Sequence, residues 1–360
     1  MKKRNLLGVD WWLLPPVFVL IIISLVTLLS LNKAFFFNQL LTLTLGIGAF
    51  FIASRLRVET LRLISLPIYI VSLVSLLIVL IIGFESHGAV RWISIFGFSI
   101  QISEILKPFL ALALASFLAS RENTSFRTFL SVIVLLVPVF LLIALQPDLG
   151  NALIYGAVTM LMLLAYGFPL KWFGLLFLPF LLISPVLWEL LHDYQRKRLL
   201  TFINPTSDPL GSSYNVIQAM IAVGSGMVMG KGLSQGTQSG LRFLPEKHTD
   251  FIFATLSEGL GFFGSAIIVV CFMLLCIRIY MLYSRMENSF AKLFAVAAFG
   301  FIMIHFFVNI GMNVGLLPIV GVTLPFVSYG GNSLIANFIF LGILSALATT
   351  YCRRSVLEIK

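Results

Sequence analysis

Long apolar runs broken by short polar stretches dominate the chain. Ten of them approach the roughly 20 residues that a membrane-crossing helix needs. They cover approximately residues 11–31, 35–54, 62–83, 104–119, 127–145, 149–166, 172–191, 251–277, 293–312 and 325–350. The first three carry apolar residues on every face, as scaffold helices do. The fourth is short and contains Pro108, which predicts a kink or an unwound turn there. The pattern predicts an all-α, polytopic membrane protein. No internal repeat divides it, so residues 1–360 are read as a single membrane domain.

The pattern fails between the seventh and eighth runs, over the 58 residues from His192 to Thr249. This large loop has Asn-Pro and Asp-Pro turns and six glycines between Gly224 and Gly240. The run Gly224, Gly226, Gly230, Lys231, Gly232 matches neither a phosphate-binding loop nor a dinucleotide fingerprint. Close backbone packing and positive φ in a folded re-entrant loop explain these glycines better. A second irregular element is predicted where Pro318, Gly321 and Pro325 interrupt the last apolar stretch, because non-helical backbone at that depth must be satisfied by protein or a cavity.

Composition agrees with the pattern: 59% of residues are hydrophobic and 11% charged, against about 25% charged in soluble domains. Mean hydropathy is +1.05. The net charge of +10 does not indicate a nucleic acid partner. With the N-terminus placed in the cytoplasm, 15 Lys or Arg fall on the cytoplasmic side and only Lys33 and Arg91 in the short outer loops. This asymmetry predicts two cytoplasmic termini and an extracellular 192–249 loop. The six loop cations (Arg196, Lys197, Arg198, Lys231, Arg242 and Lys247) do not overturn this, since long loops translocate largely regardless of charge. They leave an outer surface suited to a phosphate-bearing lipid. Cys271, Cys276 and Cys352 predict no disulfide framework, and the four histidines lack zinc-ligand spacing.

Candidate chemistry gathers at three places. Asp250 opens the eighth run, and helical spacing puts it on a stripe with Ala254, Ser257, Glu258, Gly261 and Ser265. Its two carboxylates would lie about 12 Å apart along the axis. An ionisable group in or at the hydrocarbon is a functional hypothesis by default. Glu104 and Lys107, at i and i+3 beside Pro108, face one side of the fourth helix. Asp148, in QPDLGNA, is read as a helix cap. Lys247 and His248 precede Asp250 and are placed to steady charge on a phosphate.

Five motifs run in order: GAVRWISIFGFSIQISE, QPDLGNA, RLLTFINPTSDPLGSSYNVIQ, GKGLSQGTQSGLRFLPEKHTDFIF and GLLPIVGVTLPFVSYGGNS. Together they span the chain, and on them it resembles the shape, elongation, division and sporulation (SEDS) family of peptidoglycan glycosyltransferases, on its rod-shape, RodA-like side. Three positions depart from the family pattern: Ile102 stands in place of a proline, Gly259 in place of an acidic residue and Asn332 in place of a serine.

The resemblance implies polymerisation of lipid II, the undecaprenyl-pyrophosphate-linked disaccharide-peptide, into glycan strands during cell elongation. It implies a bacterial cytoplasmic membrane location among membrane lipids, and a class B penicillin-binding protein as partner. Asp250 falls on the catalytic aspartate, expected to act as general base with inversion at the donor sugar. Glu104 and Lys107 fall on a functional acidic and basic pair. Arg91, Arg198, Lys231, Gln238, Lys247, His248 and Glu258 are the expected substrate-binding or cavity-supporting residues. No cofactor is required by this reading, and a divalent cation is left open. The alternative is a lipid II flippase, since discontinuous helices and a buried ion pair also suit a transporter.

Overall fold

A computed structural model describes residues 9–86, 89–95, 98–204, 213–240 and 243–352. The chain forms a helical bundle, and among the described residues eight helices are long and apolar enough to cross a membrane: Trp11–Leu31, Lys33–Arg55, Ser65–Ile82, Phe126–Leu145, Leu149–Tyr166, Ile252–Arg285, Ser289–Asn313 and Gly331–Tyr351. The shorter apolar helices Lys107–Ala119 and Leu170–Val186 fill the fourth and seventh places in the predicted order. Arg242, Pro205 to Asp208 and the charged residues at both termini lie outside the described residues.

Helix boundaries follow local chemistry. Pro15 and Pro16 occupy the first turn of the first span, where a missing N–H costs nothing. The side chains of Asn32, Ser125 and Asn288 cap the helices that follow them, each satisfying a terminal N–H that the helix cannot pair itself. The last two spans form the centre of the bundle and are its most buried helices. The last span packs closely on the second: Gly342 lies against the backbone of Phe50, and Gly46 against the ring of Phe338. Small residues at such contacts let helix backbones approach in lipid, where close packing replaces the hydrophobic drive.

Two features differ from the expected pattern. A three-stranded antiparallel sheet, β1 (Phe84–Ser86), β2 (Ala89–Ile95) and β3 (Phe98–Gln101), connects the third span to the fourth. Its alternation over GAVRWISI is too short to stand out among apolar runs. The fourth span is divided, so that Glu104 sits in a separate turn, Ile102–Ile105, and Lys107 begins the helix proper. Pro108 therefore lies in a first turn, where it is tolerated, and creates no mid-helix kink.

The 192–249 loop contains helices Asp193–Ile203, Tyr214–Ser225 and Thr237–Gly240. The eighth span is itself broken, for Gly261 has φ 66° and ψ −160°. The loop runs along this break. Lys231 N donates to Glu258 O and Gly232 N to Gly259 O, both at 2.9 Å, and Phe262 N donates to Met227 O at 2.9 Å. A Cβ on Gly230 would stand 2.3 Å from Gly259 O, so the glycines permit the backbone contact that the sequence predicted.

Candidate active site

Asp250 lies in the turn before the eighth span, whose helix begins at Ile252. The predicted polar stripe thus starts one step later than Asp250. Two asparagines from the ninth span fix the turn: Asn309 Nδ2 and Asn313 Nδ2 each donate to Asp250 O at 3.0 Å. Asn313 Oδ1 also accepts from Ala254 N, and Asn309 Nδ2 donates to Val322 O. Both asparagines are fully buried. They hold the backbone of Asp250 and tie it to the irregular 314–330 segment. The sequence reading missed them, although two asparagines four apart in an apolar span are a signal of shared work on one face.

The carboxylate of Asp250 turns toward Gly321. A Cβ on Gly321 would lie 3.5 Å from Asp250 Oδ2 and 4.0 Å from Arg198 Nη1, so these groups converge on one point. Gly321 has φ 70°, which disfavours any side chain there. Beside it is a cavity of about 150 Å³ lined by residues including Arg91, Asp148, Tyr194, Arg198, Pro318 and Val320. The guanidinium of Arg198 lies over the Tyr194 ring at 5.4 Å.

Arg91 enters the same cavity but is already paired, with Nη1 3.5 Å from Asp148 Oδ1. Asp148 caps the sixth span as predicted, accepting from Asn151 N at 3.4 Å and from Asn151 Nδ2 at 2.8 Å. It also accepts from Gln101 Nε2 at 2.9 Å. One carboxylate therefore joins the sheet, the sixth span and the cavity wall.

Glu104 and Lys107 meet as the spacing predicted, with Lys107 Nζ 2.6 Å from Glu104 Oε1. A third member, which the sequence reading did not single out, is His305, whose Nε2 lies 2.7 Å from Lys107 Nζ. Its Nδ1 is 2.7 Å from Phe301 O. A carbonyl can only accept, so Nδ1 carries the proton and Nε2 accepts from the ammonium. All three side chains are buried.

The remaining candidates serve the loop. Glu258 is fully buried and accepts from Thr237 Oγ1, Gln238 N, Ser239 N and Ser239 Oγ at 2.8–3.2 Å, with Lys231 Nζ at 3.7 Å. It latches the loop to the eighth span, and Gln238 enters through its backbone. Lys247 Nζ donates to Ser239 O. His248 stacks on Phe35, with centroids 4.3 Å apart and planes 6° from parallel, and also touches Tyr329.

Burial among these rings holds the His248 pKa below its ordinary 6.5, Glu246 opposes that shift, and Lys247 adds to it. Folded protein then binds fewer protons here than unfolded protein, so this contribution is complete above about pH 6.5 and is lost as pH falls through the lowered value. Melting temperature is expected to fall on acidification from neutral pH, and the His248→Phe variant should show a shallower fall in thermal unfolding scans. Equal slopes in the two proteins would refute this role.

A helical bundle with a carboxylate on a clamped turn, a guanidinium and a cavity at one end has the form of a membrane-embedded enzyme. The sequence profile of the FtsW/RodA/SpoVE cell cycle proteins matches residues 5–352, and the chain belongs to this family. The peptidoglycan glycosyltransferase MrdB of Escherichia coli K12 is 39% identical over 289 residues, covering 78% of this chain and 77% of the relative. A probable peptidoglycan glycosyltransferase FtsW of Alcanivorax borkumensis is 38% identical over 315 residues, covering 84% and 80%.

Among solved structures, a chain from work on polymerization and crosslinking by a peptidoglycan synthase complex superposes with a TM-score of 0.82 at 30% identity, covering 94% of this chain and 97% of that one. The rod shape determining protein RodA of Thermus thermophilus gives 0.74 at 28% identity, covering 97% and 99%.

Proposed function

We propose that this chain polymerises lipid II into glycan strands on the outer face of the bacterial cytoplasmic membrane, with Asp250 as general base. By family it is a multi-pass peptidoglycan glycosyltransferase. The observation that carries the assignment of roles is the convergence of Asp250 Oδ2 and Arg198 Nη1 at Gly321, beside the cavity.

Sugar transfer to a hydroxyl needs a base within reach of the acceptor proton and positive charge where the pyrophosphate departs. Asp250 takes the proton as the acceptor oxygen attacks the donor sugar carbon. The bond from that carbon to the pyrophosphate oxygen breaks, and the configuration inverts. Arg198, which converges with the base at Gly321, is assigned to the departing charge. Arg91 is already shared with Asp148 and sets the cavity wall.

Among the described residues, no three His, Cys, Asp or Glu side chains come together to hold a metal ion. A flippase would need its charged site open to both membrane faces, whereas this cavity lies at the Asp250 end of the bundle. A class B penicillin-binding protein that cross-links the strands is the proposed partner, docked through its membrane helix. Both termini are proposed to be cytoplasmic, on the charge asymmetry. Purified protein supplied with lipid II alone should yield glycan polymers resolved by size; movement of lipid II between leaflets without polymer would favour the flippase.

A further inference from the structure

The bend from Gly226 to Gly230 joins the largely apolar helix Tyr214–Ser225 to the stretch that begins at Lys231, and its three central side chains are apolar and exposed. Met227, Val228 and Met229 are 78%, 55% and 78% exposed. They adjoin Phe262 and Phe263, which are 66% and 55% exposed and begin the lower part of the eighth span.

The two sets are joined by backbone, because Phe262 N donates to Met227 O and Phe263 N to Val228 O. The bend thus lies level with a surface that belongs to a membrane-crossing helix. From Ile252, where that helix starts, to Gly261 is about 14 Å at 1.5 Å per residue. From Gly261 to Arg278, which pairs with Asp10 just before the first span, is about 26 Å on the same rise. A hydrocarbon layer about 30 Å thick that has Arg278 at one boundary includes the bend.

Hydrocarbon also demands that backbone groups find protein partners. Here Gly230 N donates to Gly226 O, and Lys231 N and Gly232 N donate to Glu258 O and Gly259 O. The first charge beyond the bend, Lys231, meets buried Glu258 at 3.7 Å. The segment is built as membrane-embedded backbone is built, though it belongs to the loop.

We infer that the Met227–Val228–Met229 bend is inserted into the membrane leaflet on the Asp250 side and packs against lipid acyl chains. The exposed apolar surface continues directly from the lipid-facing side of the eighth span, which identifies acyl chains as its occupant. Embedded there, the bend anchors the loop from within the leaflet while Glu258 latches the residues after it.

Two experiments on the full chain in phosphatidylglycerol and phosphatidylcholine bilayers test this. In the first, Cys271, Cys276 and Cys352 are replaced by alanine, and nitroxide labels are placed by Met229→Cys, by Leu274→Cys on the lipid-facing span and by Lys197→Cys on the loop. Collision with oxygen should exceed collision with a nickel chelate at Met229→Cys as at Leu274→Cys, with the reverse at Lys197→Cys. Nickel access at Met229→Cys would overturn the inference, and shielding from both reagents would show that protein, not lipid, covers the bend. In the second, native protein is irradiated with lipid carrying a diazirine on its acyl chain. Adducts are expected on Met227 to Met229 together with Phe262 and Phe263; adducts on the phenylalanines alone would also overturn it.

Discussion

Asp250→Asn should fold, bind lipid II and polymerise it at least ~10²-fold more slowly, since base catalysis typically contributes ~10²- to 10⁴-fold. Folding is expected to survive because Asn309 and Asn313 fix the turn through the Asp250 carbonyl, which the substitution leaves in place. Asparagine keeps the size and hydrogen-bonding capacity of aspartate but cannot take the proton. A loss confined to turnover, with lipid binding intact, would locate the defect in the transition state. Near-normal polymerisation by well-folded protein would end the assignment.

The largest stability effect is expected at the buried triad. Glu104→Ala leaves the Lys107 ammonium facing a neutral imidazole, and breaking one side of a buried ion pair costs about 3–5 kcal/mol. Replacing both partners by apolar residues, Glu104→Leu with Lys107→Met, removes that charge. The remaining cost is an unpaired His305 Nε2, about 1–3 kcal/mol. Thermal unfolding should therefore rank the double variant above Glu104→Ala. If the pair supports the reaction by holding the cavity, polymerisation stays low in the double variant even as stability returns. Full recovery of polymerisation would leave the pair a purely structural role.

Much of this site was legible where the partners lie close in the chain. Glu104 and Lys107 are three apart, Asp148 caps the helix that follows it, and the spacing alone predicts both contacts. The spans were legible because lipid imposes a length and an apolar pattern. What could not be read were partners distant in sequence.

His305 is one histidine in an apolar helix, and its contact to Lys107 depends on how the fourth and ninth spans pack. Glu258 lies on the predicted stripe, yet its hydrogen bonds go to residues 237–239, a choice fixed by the break at Gly261. The Asn309 and Asn313 clamp required knowing that the ninth span meets the turn before the eighth. The sheet was hidden because its strands are only 3, 7 and 4 residues long.

The break at Gly261 also has a consequence for the order of assembly. The loop from Met227 to Ser239 takes its hydrogen bonds from residues 258–263, which follow it in the chain. During synthesis at about 5–20 residues per second, the loop emerges seconds before the residues that shape it. It must pass its membrane without that shape, and only the arrival of the eighth span completes it. Synthesis halted before residue 258 would leave the seven preceding spans with an unshaped loop, so protease protection of residues 227–239 should appear as a late, single event.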